Sequence, residues 1–110
     1  MPLSLLLGIA LTNAALPATP ARPAKLGLCV ACHGERGLAQ TEDAPHLAAQ
    51  RETYLASSLT AYRTGTRRHA AMQAVAGTLS ARDIDEFARW YAAQPPPAPI
   101  RKAAVRNLAR

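Results

Sequence analysis

Apolar positions recur at helical spacing in two stretches of this 110-residue chain. Tyr54, Leu55, Leu59 and Tyr62 follow the 3.6-residue period and predict a helix over Arg51–Thr64, with Gly65 as its C-terminal cap. Ile84, Phe87, Ala88 and Tyr91 stand at i, i+3, i+4 and i+7 and predict a second helix, with Trp90 bordering its apolar face. Ser80-Ala81-Arg82-Asp83 starts it like a capping box, with Asp where Glu or Gln is usual. That helix should end at Gln94, because Pro95-Pro96-Pro97 cannot continue it. A shorter helix is expected through Leu26 and Leu28 into Cys29. Gly34, just past His33, would stop it, and Gly37 would help open a loop. Glu35 to Pro45 has no periodicity and reads as loop. Thr66–Thr78 is assigned no element.

The two ends of the chain differ from this middle. Met1 to Ala15 is apolar and rich in small residues, and no charged side chain occurs before Arg22. Residues 1–21 are read as a secretory signal, with cleavage options near Ala18 or Ala21, although no Lys or Arg precedes the apolar run. The run is short of the roughly twenty residues a spanning helix needs, so a cleaved signal is preferred to a retained anchor. A proline-rich linker runs from Leu16 to Ala24, leaving residues 22–24 ahead of a folded domain at 25–94. Residues 95–110 form a proline-led basic tail. Arg101, Lys102, Arg106 and Arg110 face no acidic residue there and account for four of the six net positive charges. The tail reads as solvated chain, or as an electrostatic tether to an acidic partner or anionic lipid.

Composition narrows the class. The length allows one domain, and small domains bury a modest share of their surface and often need a staple. Aromatic residues make up only 5% of the chain, few for a core that holds itself together unaided. Abundant alanine and few β-branched residues favour helix. The pI near 10.2 suits nucleic acid, anionic membrane or an acidic protein patch. Nucleic acid is the weakest of these, since no recognition motif or stacking array accompanies the charge.

The chemistry lies in Cys29-Val30-Ala31-Cys32-His33. C-x-x-C-H is the attachment pattern for c-type haem. Thiols three positions apart sit about one helical turn from each other and can face the same porphyrin edge, each bonding one vinyl group. The imidazole that follows can coordinate the iron. A zinc site would need four ligands in a closed tetrahedron; the chain offers two cysteines with His33, His46 and His69, and no second pair at knuckle spacing. A thioredoxin-like dithiol would need a strand–helix–strand setting. A disulfide within the motif would leave His33 unexplained. A haem with one His ligand needs a sixth partner to be a stable electron carrier, and Met raises its potential. Met72 is the one thioether outside the signal. His69 is its rival, while His46 reads as an ordinary surface residue.

Residues 25–94 resemble the class I c-type cytochromes of the small single-haem bacterial kind. The matching features are Cys29-Val30-Ala31-Cys32-His33-Gly34, Pro45-His46-Leu47-Ala48-Ala49-Gln50 and Tyr54-Leu55. They continue with Tyr62-Arg63-Thr64-Gly65-Thr66-Arg67, Met72, Leu79-Ser80, Asp83-Ile84 and Trp90-Tyr91. Two departures stand out. Arg68-His69-Ala70-Ala71 lacks the proline or second methionine common before the ligand, and Ala49 replaces a usual glycine. The resemblance implies an all-α fold of three to five helices wrapped round one haem c, the first and last crossing. It implies thioethers at Cys29 and Cys32, and His33 and Met72 as axial ligands. It also implies that the Pro45 carbonyl accepts the His33 ring N–H. The function expected is one-electron transfer in the periplasm, without catalysis. The expected donor is a quinol-oxidising complex or dehydrogenase, and the acceptor a terminal oxidase or reductase. The alternatives are a haem sensor or weak peroxidase with an open sixth position, and a fixed haem subunit of a dehydrogenase complex.

Overall fold

Four α-helices, and no strand, make up the regular structure of residues 8, 10–13 and 19–99, which the computed structural model describes. Helix α1 spans Gly27–His33, α2 Glu52–Thr64, α3 Ala70–Ala76 and α4 Ala81–Ala92. The expected signal lies largely outside the described residues, as does the tail from Ile100 onward.

Helix α4 organises the core because its stripe is unbroken: Ile84, Phe87, Ala88 and Tyr91 are all buried. Its start is the predicted capping box. Ser80 Oγ accepts the Asp83 amide at 3.0 Å, and Asp83 Oδ2 accepts the Ser80 amide at 2.9 Å. The helix stops at Ala92, two residues earlier than the prolines alone required. The Gln94 amide donates to Tyr91 O at 3.2 Å, a tightened i→i−3 turn of the kind that often closes a helix. Helix α2 packs on α4, and α3 on α2. Helix α1 joins them through Leu26, fully buried just ahead of it, and through Cys29 and Val30, which pack against the same core.

Lys25 Nζ lies 2.8 Å from Asp83 Oδ2, linking the approach to α1 with the start of α4. That bond and the Ser80 amide hold the Asp83 carboxyl down to about 2. A carboxylate depressed in the folded state adds stability above its unfolded value of roughly 3.9. The contribution is lost as pH falls through the folded value, because the unfolded chain binds the proton first. Thermal melts between pH 5 and 2 should therefore fall more steeply for the parent than for Asp83→Asn; parallel curves would refute this.

The segment between α1 and α2 has no helix, as expected, and is closely tied to α4. Gly37 carries φ +83°, and a Cβ there would lie 2.5 Å from the Ala48 amide nitrogen and 2.9 Å from Tyr91 Cδ1. Only glycine permits both the left-handed backbone and the close approach. Ala49 also takes a left-handed conformation, at φ 60°. A non-glycine residue there costs roughly 1–2 kcal/mol. The backbone thus keeps the shape a glycine would suit, and the Ala49 amide donates to Tyr91 O at 3.1 Å.

Helix α3 was not foreseen. Its sequence, Ala-Ala-Met-Gln-Ala-Val-Ala, has no apolar stripe, and Ala76 is its one buried residue. High alanine propensity and a cap from His69 make the helix instead.

Candidate haem site

Cys29, Cys32 and His33 arrive together because α1 carries all three through its last two turns. The helix ends at Gly34, whose φ of 78° turns the chain away just after the imidazole. All three line a cleft of about 440 Å³. Met72 and Ala71, from the first turn of α3, line it too. Leu55, Leu59 and Tyr62 of α2 and Phe87 of α4 add apolar walls. This accounts for the α2 stripe: Leu55 is buried, but Tyr54 is half exposed, because much of that face looks into the cleft.

His33 is buried, with Nδ1 3.0 Å from Pro45 O. With the proton on Nδ1 donated to that carbonyl, Nε2 keeps its lone pair for a metal and the ring cannot turn freely. Cys29 is half-buried, Cys32 is exposed, and both are free thiols. Burial pushes the Cys29 thiol up to about 11. At neutral pH it therefore stays protonated. Among the described residues no group of three or more His, Cys, Asp and Glu side chains is gathered to hold a bare metal ion.

The other histidines have local tasks. His46 Nδ1 accepts the Ala39 amide at 2.8 Å and braces the loop. His69 Nδ1 accepts the Met72 amide at 3.3 Å.

Sequence reasoning missed a set of bonds that hold the α1 end of the cleft. The Tyr91 hydroxyl donates to Gly34 O at 3.1 Å, and Trp90 Nε1 donates to Glu35 O at 2.9 Å. Burial raises the Tyr91 phenol, which therefore remains a neutral donor. Glu35 also pairs with Arg22 at 2.5 Å, and Pro23 beside it is buried. The aromatic pair at the end of α4 was the visible signal; which carbonyls it reaches is a matter of tertiary packing.

The donor set fits haem c. Two sulfurs about one turn apart, an oriented imidazole, a thioether in the same cleft and apolar walls are what an edge-tethered, axially ligated porphyrin needs. An all-helical arrangement with this cleft suits a haem-binding protein.

Comparison with known proteins agrees. No family model matches the chain. Cytochrome c-554(548) of Halomonas halodenitrificans is 44% identical over 73 residues, which are 64% of this chain and 88% of the relative. The thiosulfate dehydrogenase electron acceptor of Thiomonas intermedia is 33% identical over a 113-residue alignment covering 96% of this chain and 52% of that protein. Cytochrome c4 of Pseudomonas aeruginosa is 36% identical over 93 residues, 83% of this chain and 46% of its own. The chain thus spans about half the length of the last two. The chain belongs to the class I c-type cytochromes, with haem c as its cofactor.

Proposed function

We propose that this protein is a one-electron carrier in which Cys29 and Cys32 hold haem c through thioethers, while His33 and Met72 supply the axial ligands. The observation that carries the reading is the convergence of these four side chains on one apolar cleft, with His33 Nδ1 engaged by Pro45 O. Haem c, when bound, supplies the iron that stores and releases the electron. The chain's residues do the rest. His33 presents Nε2, and the Pro45 carbonyl fixes the plane of its ring. Met72 would supply the thioether for the remaining position and so deny it to small ligands and substrates. Leu55, Leu59 and Phe87 would set apolar walls against the bound haem, which lowers the solvent rearrangement that accompanies each transfer. Optical spectra of the reduced protein with and without carbon monoxide test this. No change on adding the gas is expected. Ready binding would mean an accessible iron and would favour the sensor or peroxidase reading.

Residues 1–21 would direct export and 22–24 would lead into a domain at 25–94, giving a periplasmic protein. No helix among the described residues is long and apolar enough to cross a membrane. Redox proteins are the partners. A quinol-oxidising complex or dehydrogenase would be the donor, and a terminal oxidase or reductase the acceptor. A dehydrogenase donor is supported by the likeness to the Thiomonas intermedia protein, which is named for accepting electrons from one. Steering toward an acidic donor surface would be the task of the basic tail at 95–110. A chain ending at Pro97 should then be reduced more slowly at low salt, with a flatter salt dependence; unchanged rates would leave the tail without that role.

A further inference from the structure

Helix α3 presents Met72 with little support of its own. It is seven residues long and buries only Ala76. Helices of that length have no independent stability in water. Beyond its packing on α2, its placement leans on its first turn, where three bonds join residues 69, 72 and 73. His69 Nδ1 accepts the Met72 amide at 3.3 Å. The His69 amide donates to Gln73 Oε1 at 3.1 Å, and the Gln73 amide returns to His69 O at 2.8 Å. This is a reciprocal cap in which an imidazole nitrogen stands where a hydroxyl or carboxylate oxygen is usual.

The imidazole is itself held. Its ring meets the edge of Tyr62, with centroids 6.5 Å apart and planes at 68°. Tyr62 in turn lies under the Arg67 guanidinium, 4.8 Å from the ring centroid, and Arg67 reaches Ser58 Oγ at 3.3 Å. A run of contacts thus leads from α2 through His69 to the backbone of Met72.

The bonding also assigns the tautomer. An Nδ1 that accepts a hydrogen bond carries the lone pair, so in the neutral ring Nε2 carries the proton. Neither nitrogen is then free for a metal. His69 lines the cleft, yet in this arrangement it is not a competing ligand.

We propose that His69 is a positioning residue for the sixth ligand: by capping α3 on the Met72 amide, its imidazole keeps the Met72 sulfur at the iron. The inference rests on the reading of Met72 as axial ligand. It is tested with the haem-loaded protein and its His69→Ala, His69→Asn and Met72→Ala variants, titrated in the ferric state with imidazole. The readouts are the concentration that half-displaces the sixth ligand and the weak long-wavelength band of sulfur-ligated ferric haem. Loss of a typical cap corresponds to about a fivefold shift in equilibrium. His69→Ala should therefore lower the half-displacing concentration about fivefold, while His69→Asn, whose amide oxygen can cap in the same way, should restore it. Wild-type behaviour in His69→Ala, alongside a response to Met72→Ala, would overturn the positioning role alone. Failure of His69→Asn to rescue would also overturn it, since the imidazole would then matter for something other than capping. An unchanged spectrum and titration in Met72→Ala would remove the ligation reading and this proposal with it.

Discussion

A chain carrying Cys29→Ser and Cys32→Ser will be recovered without covalent haem and will not hold its fold. The expectation follows from how little else holds the cleft together. The continuous buried core consists of Leu26, Leu55, Leu79, Ile84, Phe87, Ala88 and Tyr91. Beside it lies a cleft of about 440 Å³ whose walls include Leu55, Phe87, Ala88 and Tyr91 themselves. Unfilled apolar volume costs about 24 cal/mol per Å³. The whole cleft would then cost as much as ~10 kcal/mol, a ceiling because the cleft opens to solvent. Domains are stable by only about 5–15 kcal/mol. Even half of that ceiling removes a large part of the margin, and the variant has no cysteine left from which a compensating disulfide could form. Far-ultraviolet circular dichroism should find much of the helix lost and no cooperative melt. A double variant that unfolds cooperatively near the temperature of the loaded protein would show that the helices stand without the cofactor.

The same imbalance explains what was legible in the sequence. Helices α2 and α4 were readable because each has a stop signal and apolar residues at the 3.6-residue period. In α4 the Ser80–Asp83 box gave the start as well. Helix α1 was readable from its glycine stop and from the attachment motif. Helix α3 was not, since a helix made of alanines around one Met and one Val advertises no face, and a histidine cap resembles no usual start. The α2 stripe was visible, but its surroundings were not. Tyr54 and Tyr62 look into the cleft, so a pattern that ordinarily means a helix–helix seam here means a cleft wall.

The site divides in the same way. Cys29, Cys32 and His33 are local in sequence, and their spacing alone suggested the chemistry. Met72 was reached by elimination and by resemblance; what brings it to the same cleft is the packing of α3 on α2, to which no neighbouring residue points. Tyr91 was placed in the apolar stripe of α4, which is where it sits. Its hydroxyl, bonded to Gly34 O, is a contact between residues 57 positions apart that no local pattern encodes.

Met72→Ala should leave a folded, haem-loaded protein that has lost its carrier properties. Met72 is half-buried on a short helix at the margin of the core, so shortening it removes few contacts. Cys29, Cys32 and His33 lie on α1 and are untouched. On the proposed ligation, the sixth position would then have no ready substitute. The nearby imidazole of His69 has its lone pair committed to the backbone of α3, and His46 is committed to the Ala39 amide. Water or an added ligand must take the place. Thioether sulfur favours the reduced iron and raises the potential, so its loss should lower the potential by a substantial fraction of the ~0.8 V that axial ligands command. The reduced variant should bind carbon monoxide where the parent does not. A ligand that changes with oxidation state would slow electron exchange, because each transfer would then require bonds to form or break. Potentiometry and gas titration of the same two samples decide the matter. A lowered potential with carbon monoxide binding supports Met72 at the iron, and an unchanged potential would assign the sixth position to another side chain.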